Sequence, residues 1–333
     1  MSERITFIST SSELQSKVLK FMEEWNSDVS YVIVHTSGST GKPKEILIPK
    51  EHMIISARKT LDYFSISPGQ NALLCLSPDT IAGKMMIVRS IVGNLNLFVV
   101  DVNSNPLNQL SDKIDFVALV PIQVEEILNI EPLKLKKIQT ILIGGGPISN
   151  VLSSKLNLAE IQAYHSYGMT ETISHVAIRP VGKLEKDTFE ALNGIEFSTK
   201  DQQLVVHYPE IGHLLLTTND IVELVDKQQF KFIGRSDFMI NSGGVKLNPE
   251  TIENLLSAMI KAPYFVAGIE DQNLGQKLIL VIEGTTSQAP TLLELKSVLP
   301  KYHDPKEMYF IPKFVRTESD KINRGETLKL IHI

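Results

Sequence analysis

The hydrophobic positions of this chain form short apolar runs separated by longer amphipathic stretches. In the first half, runs bounded by glycine, proline or asparagine predict strands, and stretches with apolar residues three or four positions apart predict helices. The predicted strands cover residues 31–34, 45–48, 71–76, 95–101, 116–120 and 140–143. The predicted helices cover residues 50–64, 81–92 and 122–129. Alternation of this kind is typical of an α/β fold with a largely parallel sheet, in which ligands bind beyond the carboxyl ends of the strands.

The pattern changes near residues 234–237. Strands alone are predicted just before this point, at 203–207, 214–217, 221–225 and 230–233. Helices and strands are mixed after it, with helices at 249–259 and 291–299 and strands at 265–270, 278–283 and 308–315. We therefore predict two domains, a large α/β domain over residues 1–235 and a small α+β domain over residues 236–333.

Bulk composition limits the classes of function. The 333 residues carry a formal net charge of −5, which argues against nonspecific nucleic-acid binding because such binding needs a basic face. The single cysteine, Cys75, lies in an apolar run, and we predict that it is an inert core residue. The chain starts without the apolar segment of a signal peptide, and no apolar run is long enough to span a bilayer. We expect a soluble, cytoplasmic protein that binds neither nucleic acid nor membrane.

A loop rich in glycine and hydroxyl residues follows the first predicted strand. It reads His35-Thr-Ser-Gly-Ser-Thr-Gly-Lys-Pro-Lys44, so backbone N–H groups, hydroxyls and ammonium groups can all face one anion. It is not a Walker A loop, because Gly38 and Gly41 are too close together and Pro43 stands where the magnesium-binding hydroxyl should be. A polyphosphate-binding loop and a flexible polar surface loop both fit, and we favour the first. The candidate phosphate-binding residues are Thr36, Ser37, Gly38, Ser39, Thr40, Gly41, Lys42 and Lys44.

Six segments resemble, in order along the chain, the motifs of the adenylate-forming acyl- and aryl-CoA ligases. They are the loop Thr36–Lys44, Gly144-Gly-Gly-Pro147, Tyr167-Gly-Met-Thr-Glu171, Thr218-Asn-Asp220, Gly234-Arg-Ser-Asp237 and Lys321-Ile-Asn-Arg324. One such motif is a weak signal, whereas six in the family's order are a strong one. The resemblance implies a large N-terminal adenylation domain with mixed and parallel sheets, shortened at its N-terminus, and a small mobile α+β domain at the C-terminus.

The resemblance also implies a nucleotide site. The glycine turn would wall the adenine pocket, and Tyr167 would offer a flat aromatic face to the purine. Asp220 would accept hydrogen bonds from both ribose hydroxyls, and Arg235 would hold the ribose or phosphate side. A core tyrosine, a solvated turn aspartate and a charged pair in a linker are the structural alternatives. The implied nucleotide-binding residues are Gly144, Gly145, Gly146, Pro147, Tyr167, Gly168, Asp220 and Arg235.

Three side chains would act on the phosphates if the resemblance holds. Glu171 would bind Mg²⁺, which bridges the phosphate oxygens and the attacking carboxylate, although it could also cap a helix N-terminus. Thr170 would add a hydroxyl near the α-phosphate. Lys321 would stabilise the charge that develops on the oxygens of the α-phosphorus. Asp320 precedes it where the family has glycine, which leaves the geometry of that loop open.

The implied reaction has two steps. A carboxylic acid attacks ATP to give an acyl-adenylate and pyrophosphate. The small domain then turns about Asp237, carries Lys321 away and admits coenzyme A, whose thiol displaces AMP. Gly243 and Gly244 would line the tunnel for the pantetheine arm, where side chains would obstruct it. ATP and Mg²⁺ are thus the implied cofactors, and coenzyme A is the co-substrate.

The acid is suggested by the segment Ile81–Met86, with Arg89 one turn on, which resembles short o-succinylbenzoate–CoA ligases of menaquinone synthesis. Lys84 and Arg89 would hold the second carboxylate of a dianionic acid if both faced the pocket. Solvated basic residues on a helix are the alternative. Thr80 stands in the place of the family's pocket histidine. His165 and His175 would contact the acid or serve as structural residues.

Three functions are therefore consistent with the sequence. We favour an acid–CoA ligase, most specifically for o-succinylbenzoate, with a small carboxylic acid as its partner. An adenylating enzyme that loads a carrier protein is the second option. A non-catalytic nucleotide-binding relative is the third, and the presence of both Glu171 and Lys321 speaks against it. The oligomeric state is open, with a homo-oligomer as one option.

Overall fold

The computed structural model describes residues 4–36, 44–108, 110–285, 289–316 and 322–331. Its helices are α1 (Ser12–Asn26), α2 (Lys50–Tyr63), α3 (Ile81–Gly93), α4 (Pro121–Ile130), α5 (Pro132–Lys136), α6 (Asn150–Leu158), α7 (Pro249–Leu256), α8 (Leu292–Val298) and α9 (Arg324–Leu328). Its strands in the first part are β1 (Ile5–Phe7), β2 (Tyr31–Thr36), β3 (Lys44–Pro49), β4 (Asn71–Leu74), β5 (Asn96–Val99), β6 (Phe116–Leu119), β7 (Thr140–Ile143), β8 (Gln162–Gly168), β9 (His175–Gly182) and β10 (Thr188–Ala191). The remaining strands are β11 (Glu196–Lys200), β12 (Gln203–Tyr208), β13 (Leu214–Leu224), β14 (Gln229–Arg235), β15 (Ile240–Ser242), β16 (Val245–Leu247), β17 (Tyr264–Asp271), β18 (Gly275–Glu283) and β19 (Glu307–Ile311).

One sheet of twelve strands forms the frame of the larger part, in the order β1-β5-β4-β6-β7-β8-β9-β10-β14-β13-β12-β11. The strands from β1 to β8 in this order pair in parallel. From the β8–β9 pair onward, every pairing is antiparallel. The predicted α/β class with mixed and parallel strands is confirmed.

Helices cover both faces of the parallel half of the sheet. The alternation of residues along β4 and just after it shows which helices lie on each face. Ala72 and Leu74 belong to the core shared with helices α1, α2 and α3, whereas Leu73 and Cys75 belong to the core under α4, α5 and α6. Successive residues of a strand point to opposite faces, so a run that is apolar throughout is buried on both. Cys75 is a buried core residue, as predicted, and burial raises the pKa of its thiol to about 12.

The hairpin β2–β3 differs from the prediction. We expected the loop after residue 34 to lie beyond the end of a strand of the main sheet. Instead, β2 and β3 form a separate antiparallel sheet of two strands, with Ile33 opposite Leu47. The alternating residues Val32, Val34 and Ile48 face the core of the larger part. Hydrophobic alternation predicts a strand but does not identify its partner, because register and pairing are set by long-range packing.

The smaller part has its own sheet, in the order β16-β15-β18-β17, with β19 added parallel to β18. Its apolar cores draw only on residues between Ile240 and Ile331, whereas the cores of the larger part end at Phe232. The domain boundary between residues 235 and 236 stays a prediction. Gly243 and Gly244 form the two-residue turn of the β15–β16 hairpin with φ of +59° and +82°. Such a turn needs positive φ at both positions, which explains the glycine pair without any ligand.

No helix in the described ranges is both long and apolar enough to cross a bilayer.

Candidate active site

The glycine turn Gly144–Pro147 follows β7 and lies at the carboxyl edge of the parallel strands. The Gly144 N–H donates to the Leu119 carbonyl at 3.0 Å, which continues the β6–β7 ladder into the turn. Gly145 has φ of +80°, a conformation that side chains other than glycine rarely adopt. The Ser166 hydroxyl donates to the Ile143 carbonyl at 3.1 Å, so β8 fixes the start of the turn.

His165 connects this turn to Arg179 through its two ring nitrogens. Its Nε2 lies 3.1 Å from the Gly146 carbonyl, and its Nδ1 accepts from Arg179 Nε at 3.3 Å. Because Nδ1 is the acceptor, the proton lies on Nε2 and is donated to Gly146. Burial and the Arg179 charge lower the pKa of His165 to about 3, so the ring is neutral. Both ring nitrogens are used inside the protein, which gives His165 a structural role in place of the predicted contact with the acid.

Tyr167, Asp220 and Arg235 meet at one place although they come from three strands. Asp220 on β13 pairs directly with Arg235 on β14. The Tyr167 hydroxyl donates to Asp220 Oδ2, and Arg235 Nη1 lies 3.5 Å from Asp220 Oδ1. Asp220 is 5% exposed, and burial raises the pKa of its carboxyl despite these partners. The structure therefore brings together the three side chains that the sequence assigned to the nucleotide.

Arg235 also joins this cluster to the residue predicted as the hinge. Its Nε and Nη2 bind Asp237 Oδ1 and Oδ2 at 2.9 Å and 2.6 Å. A two-point contact of a guanidinium with a carboxylate fixes the angle between the groups as well as their distance. Asp237 lies in the single helical turn Ser236–Phe238, where the chain passes between the two apolar cores. Its role as hinge stays a prediction.

Thr170 and Glu171 lie in the short helical turn Thr170–Thr172, directly after the irregular pairing at Tyr167 and Gly168. Glu171 is exposed, and within the described ranges no hydrogen bond or ion pair engages its carboxylate. Mg²⁺ is commonly held by one or two carboxylates together with phosphate oxygens and water. A free, exposed carboxylate beside the nucleotide cluster fits that requirement. In the described parts of the chain no three histidine, cysteine or acidic side chains converge into a metal cage.

The turn ends in a strained residue. Ile173 has φ of +70°, and the Ser174 N–H donates back to the Thr172 carbonyl at 2.8 Å. A β-branched residue in this conformation is an outlier, and strain of this kind persists only where the surroundings impose it. The tight turn directs the Ser174 side chain toward helix α3.

Arg89 of α3 is the charged group that meets Ser174. It is 2% exposed, and its Nη2 donates to the Ser174 hydroxyl at 2.6 Å and approaches His175 Nδ1 at 3.4 Å. Its Nε donates to the Thr60 hydroxyl at 3.2 Å, and its Nη1 donates to the Met86 sulfur at 3.7 Å. Among the described residues no carboxylate pairs with this guanidinium. Burial lowers its pKa to about 9, so the group stays charged at neutral pH.

Lys84 does not join Arg89, which corrects the prediction that both face one pocket. Its Nζ lies 4.6 Å from the centre of the Phe21 ring on α1. Residues five positions apart on a helix point in directions about 140° apart, so the two cations lie on different sides of α3. Thr80 is the N-cap of the same helix, because its hydroxyl accepts from the Gly83 N–H at 3.2 Å and donates to the Ser77 carbonyl at 2.8 Å.

Part of the predicted site lies outside the described residues. This holds for Lys321 and for the central residues of the phosphate loop, Ser37, Gly38, Ser39, Thr40, Gly41 and Lys42. Thr36 and Lys44 pair with each other at the open end of the β2–β3 hairpin, which places that loop between them. Their assignment to phosphate stays a prediction, and so does the assignment of Gly243 and Gly244 to coenzyme A.

The sequence did not point to three contributors to the site, namely Thr60, Ser174 and Arg179. Each acts through a hydrogen bond to a residue that is distant along the chain or lies across a sheet. For Thr60 and Ser174, the sequence did contain one signal, which is their shared partner Arg89. A lone arginine inside the apolar run Met85–Val92 has to be buried with polar partners or be a functional cation.

Comparisons with known proteins identify the family of this chain. The family model of the AMP-binding enzymes matches residues 4–229. The 2-succinylbenzoate–CoA ligase of Listeria monocytogenes is 26% identical over an alignment of 346 positions, which covers 95% of this chain and 73% of that protein. A crystal structure of an acyl-CoA synthetase (AMP-forming)/AMP-acid ligase II-like protein from Dyadobacter fermentans is 34% identical, with a TM-score of 0.64 and coverage of 97% of this chain and 95% of that chain.

A further solved structure shows the same fold at lower identity. It is the o-succinylbenzoate coenzyme A synthetase from Bacillus subtilis in complex with ATP and magnesium ion, with a TM-score of 0.73 and 21% identity over 89% of this chain and 69% of that chain. The family model covers most of the larger part, and the Dyadobacter protein matches along almost its whole length. This chain therefore belongs to the AMP-binding enzyme family, the adenylate-forming acid–CoA ligases.

Proposed function

We propose that this protein converts 2-succinylbenzoate, an acid with two carboxylates, to its coenzyme A thioester through an acyl-adenylate. The observation that carries the choice of acid is the Arg89 guanidinium, which is buried and has no carboxylate partner among the described residues. A desolvated cation is costly unless an anion accompanies it. The second carboxylate of the substrate is such an anion. The relatives named for this acid support the same choice.

The polar groups around Arg89 suit a carboxylate ligand. His175 is neutral, because burial and the Arg89 charge lower the pKa of its ring far below the usual range. The Thr60 hydroxyl donates to the Ser56 carbonyl, so His175 Nε2, at 3.2 Å, is the donor to the Thr60 oxygen. Among the residues that the structure describes, the cluster thus contains no second positive charge and no negative one. The loosely held Nη1 of Arg89 remains as a donor for an incoming oxygen.

The first step of the proposed reaction takes place between this cation and the nucleotide cluster. ATP would lie along the glycine turn with its ribose toward Asp220 and Arg235. Glu171 would hold Mg²⁺, which supplies charge stabilisation for the phosphates when bound. Arg89 would fix the carboxylate that is not activated and leave the other carboxylate to attack the α-phosphorus. Fixing both ends of the acid lowers the entropy cost of the attack.

The second step needs the smaller part of the protein to turn. Lys321 belongs to that part, and a lysine at the α-phosphate would block a thiol approaching the same carbonyl carbon. Rotation about Asp237 would remove Lys321 and bring the β15–β16 hairpin forward to receive coenzyme A. The CoA thiol then attacks the carbonyl, the thioester bond forms, and AMP leaves.

Exchange of labelled pyrophosphate into ATP tests the proposal with three matched acids. 2-Succinylbenzoate carries both carboxylates, 4-oxo-4-phenylbutanoate lacks the aromatic one, and 2-butyrylbenzoate lacks the aliphatic one. A charge-assisted hydrogen bond contributes about 1.5–3 kcal/mol. We therefore expect kcat/KM for the dicarboxylate to exceed that of both monocarboxylates by at least about tenfold. Equal values for the three acids would reject 2-succinylbenzoate and leave the ligase family assignment intact.

A further inference from the structure

Two side chains of the smaller part hold the backbone of the larger part next to the predicted hinge. Asn248 Nδ2 donates to the Ile233 carbonyl at 2.5 Å, and the Arg235 N–H donates to Glu250 Oε2 at 2.9 Å. Both side chains come from the first turn of α7, and both targets lie at the end of β14. We call this set of two hydrogen bonds the α7 clamp.

The α7 clamp fits closely around Gly234. A Cβ atom on this glycine would lie 2.1 Å from Asn248 Nδ2 and 2.5 Å from Glu250 Oε2. A side chain at this position would have to displace the ends of Asn248 and Glu250, so glycine allows both of them to reach the strand. The close fit makes the contact specific to one arrangement of the two parts of the protein.

The clamp acts on a residue that belongs to the nucleotide cluster. Glu250 accepts from the backbone N–H of Arg235, whose guanidinium binds Asp237 and approaches Asp220. The small domain is therefore held at the backbone of Arg235. This residue belongs to the candidate ribose site and lies two residues before the predicted hinge, Asp237. A rotation about Asp237 would pull the α7 clamp apart, because its two sides lie on opposite sides of the hinge.

We propose that Asn248 and Glu250 are positioning residues that hold the small domain in one orientation relative to the nucleotide site, and that the α7 clamp opens when the domain turns. The catalytic consequence rests on the proposed function, in which rotation separates adenylation from thioester formation. The physical claim about orientation is independent of it and can be tested without substrate.

The charges around Glu250 make the clamp sensitive to pH. From the small domain, Arg324 and Glu253 face it; from the large domain, the Arg235 N–H and Asp220 face it. Burial raises the pKa of Glu250 from 4.5 to about 7, with Glu253 and Asp220 acting in the same direction and Arg324 against it. Because the pKa of Glu250 is raised in the closed arrangement, protonation of Glu250 favours that arrangement. The closed clamp therefore loses stability as pH rises from about 4.5 toward 7, and the loss is complete above 7.

The distance between two spin labels on the full chain measures the orientation directly. Leu158 on the larger part and Leu293 on the smaller part are 86% and 79% exposed, so Leu158→Cys and Leu293→Cys accept labels, whereas the buried Cys75 does not. Between pH 5.5 and pH 8, we expect the ratio of closed to open populations to fall by about tenfold or more. Glu250→Gln keeps the acceptor oxygen without the charge, so its ratio should not change with pH. Glu270→Gln, on an exposed position of the same domain, should behave like the parent protein.

A second variant tests the clamp without disturbing the fold of α7. Asn248 Oδ1 caps the helix by accepting from the Glu250 N–H at 2.9 Å, and aspartate is as good an N-cap as asparagine. Asn248→Asp therefore keeps the cap, loses the donor to Ile233, and places a carboxylate against that carbonyl. We expect the open population to rise about tenfold at both pH values.

The rates of the two half-reactions provide a kinetic test of the α7 clamp. Asn248→Asp and Glu250→Gln should change the ratio of pyrophosphate exchange to thioester formation from supplied adenylate, in opposite directions at pH 8. Distance distributions that are identical in the parent protein and in both variants would overturn the α7 clamp. If instead the distances respond and no acid supports pyrophosphate exchange, the clamp stands and the proposed function fails.

Discussion

Arg89 Nη2 donates a 2.6 Å hydrogen bond to the Ser174 hydroxyl, across 85 positions of the chain. This bond ties helix α3 to the segment that carries Glu171, three residues before Ser174. This one contact therefore fixes the position of Arg89 relative to Glu171. Arg89 is the candidate cation for the substrate acid, and Glu171 is the candidate ligand for Mg²⁺.

Replacing Arg89 should change the choice of acid. Arg89→Gln keeps a polar side chain and removes the charge, so kcat/KM for 2-succinylbenzoate should fall by about 10- to 100-fold. The value for the monocarboxylate that retains the activated carboxylate should change by less than about threefold, because this acid has no second carboxylate for Arg89 to hold. Lys84→Gln is the matched control, since Lys84 contacts Phe21 on another side of α3. An equal loss for 2-succinylbenzoate and for this monocarboxylate would show that Arg89 serves the fold alone.

The glycine turn offers a matched pair of substitutions. Gly145→Ala must adopt φ near +80° and brings its Cβ to 3.3 Å from Val120, so we expect a loss of about 1–3 kcal/mol in unfolding free energy and a raised KM for ATP. Gly146→Ala has no such φ and only an ordinary contact of 3.7 Å with Pro121. It should unfold within about 0.5 kcal/mol of the parent protein. Urea unfolding and ATP titration of pyrophosphate exchange measure both effects, and equal effects of the two changes would contradict the strain at position 145.

Removing the Tyr167 hydroxyl should destabilise the nucleotide cluster. Asp220 is buried, and Tyr167→Phe takes away a donor to its carboxylate. Loss of a partner by a buried charged group costs about 1–3 kcal/mol, and we expect that decrease in urea unfolding at pH 7. Tyr164→Phe serves as the control, because its hydroxyl makes no hydrogen bond to the residues that the structure describes. A cost for Tyr167→Phe no larger than for Tyr164→Phe would mean that the contact with Asp220 contributes nothing.

Several elements were predictable from local pattern. Helix α3 was expected over 81–92 and covers Ile81–Gly93, because its apolar spacing is helical and Thr80 is a favourable N-cap. The convergence of Tyr167, Asp220 and Arg235 followed from family motifs that a single sequence contains.

Other features depend on information that a local pattern does not hold. The separate β2–β3 hairpin and the separation of Lys84 from Arg89 depend on which surfaces pack together. The roles of His165 and Asn248 depend on backbone carbonyls that other segments present to them. The sequence does not show which backbone carbonyl accepts a hydrogen bond from a distant side chain. Sequence motifs therefore identify side chains that face a ligand better than side chains that hold the backbone.

Lys321 should matter for one half-reaction only. Lys321→Ala removes the charge that would stabilise the transition state at the α-phosphorus, so adenylate formation should fall by about 10²- to 10³-fold. Thioester formation from supplied acyl-adenylate should stay within about threefold of the parent protein, because Lys321 would have moved away in that state. Equal losses in the two half-reactions would contradict this assignment.

The most direct measurement of the central claim is mass spectrometry of the products from ATP, Mg²⁺ and 2-succinylbenzoate. Without coenzyme A, we expect the acyl-adenylate and pyrophosphate. On addition of coenzyme A, we expect the acyl thioester and AMP in equal amounts. Formation of ADP and phosphate, or ATP consumption that does not depend on the acid, would contradict it.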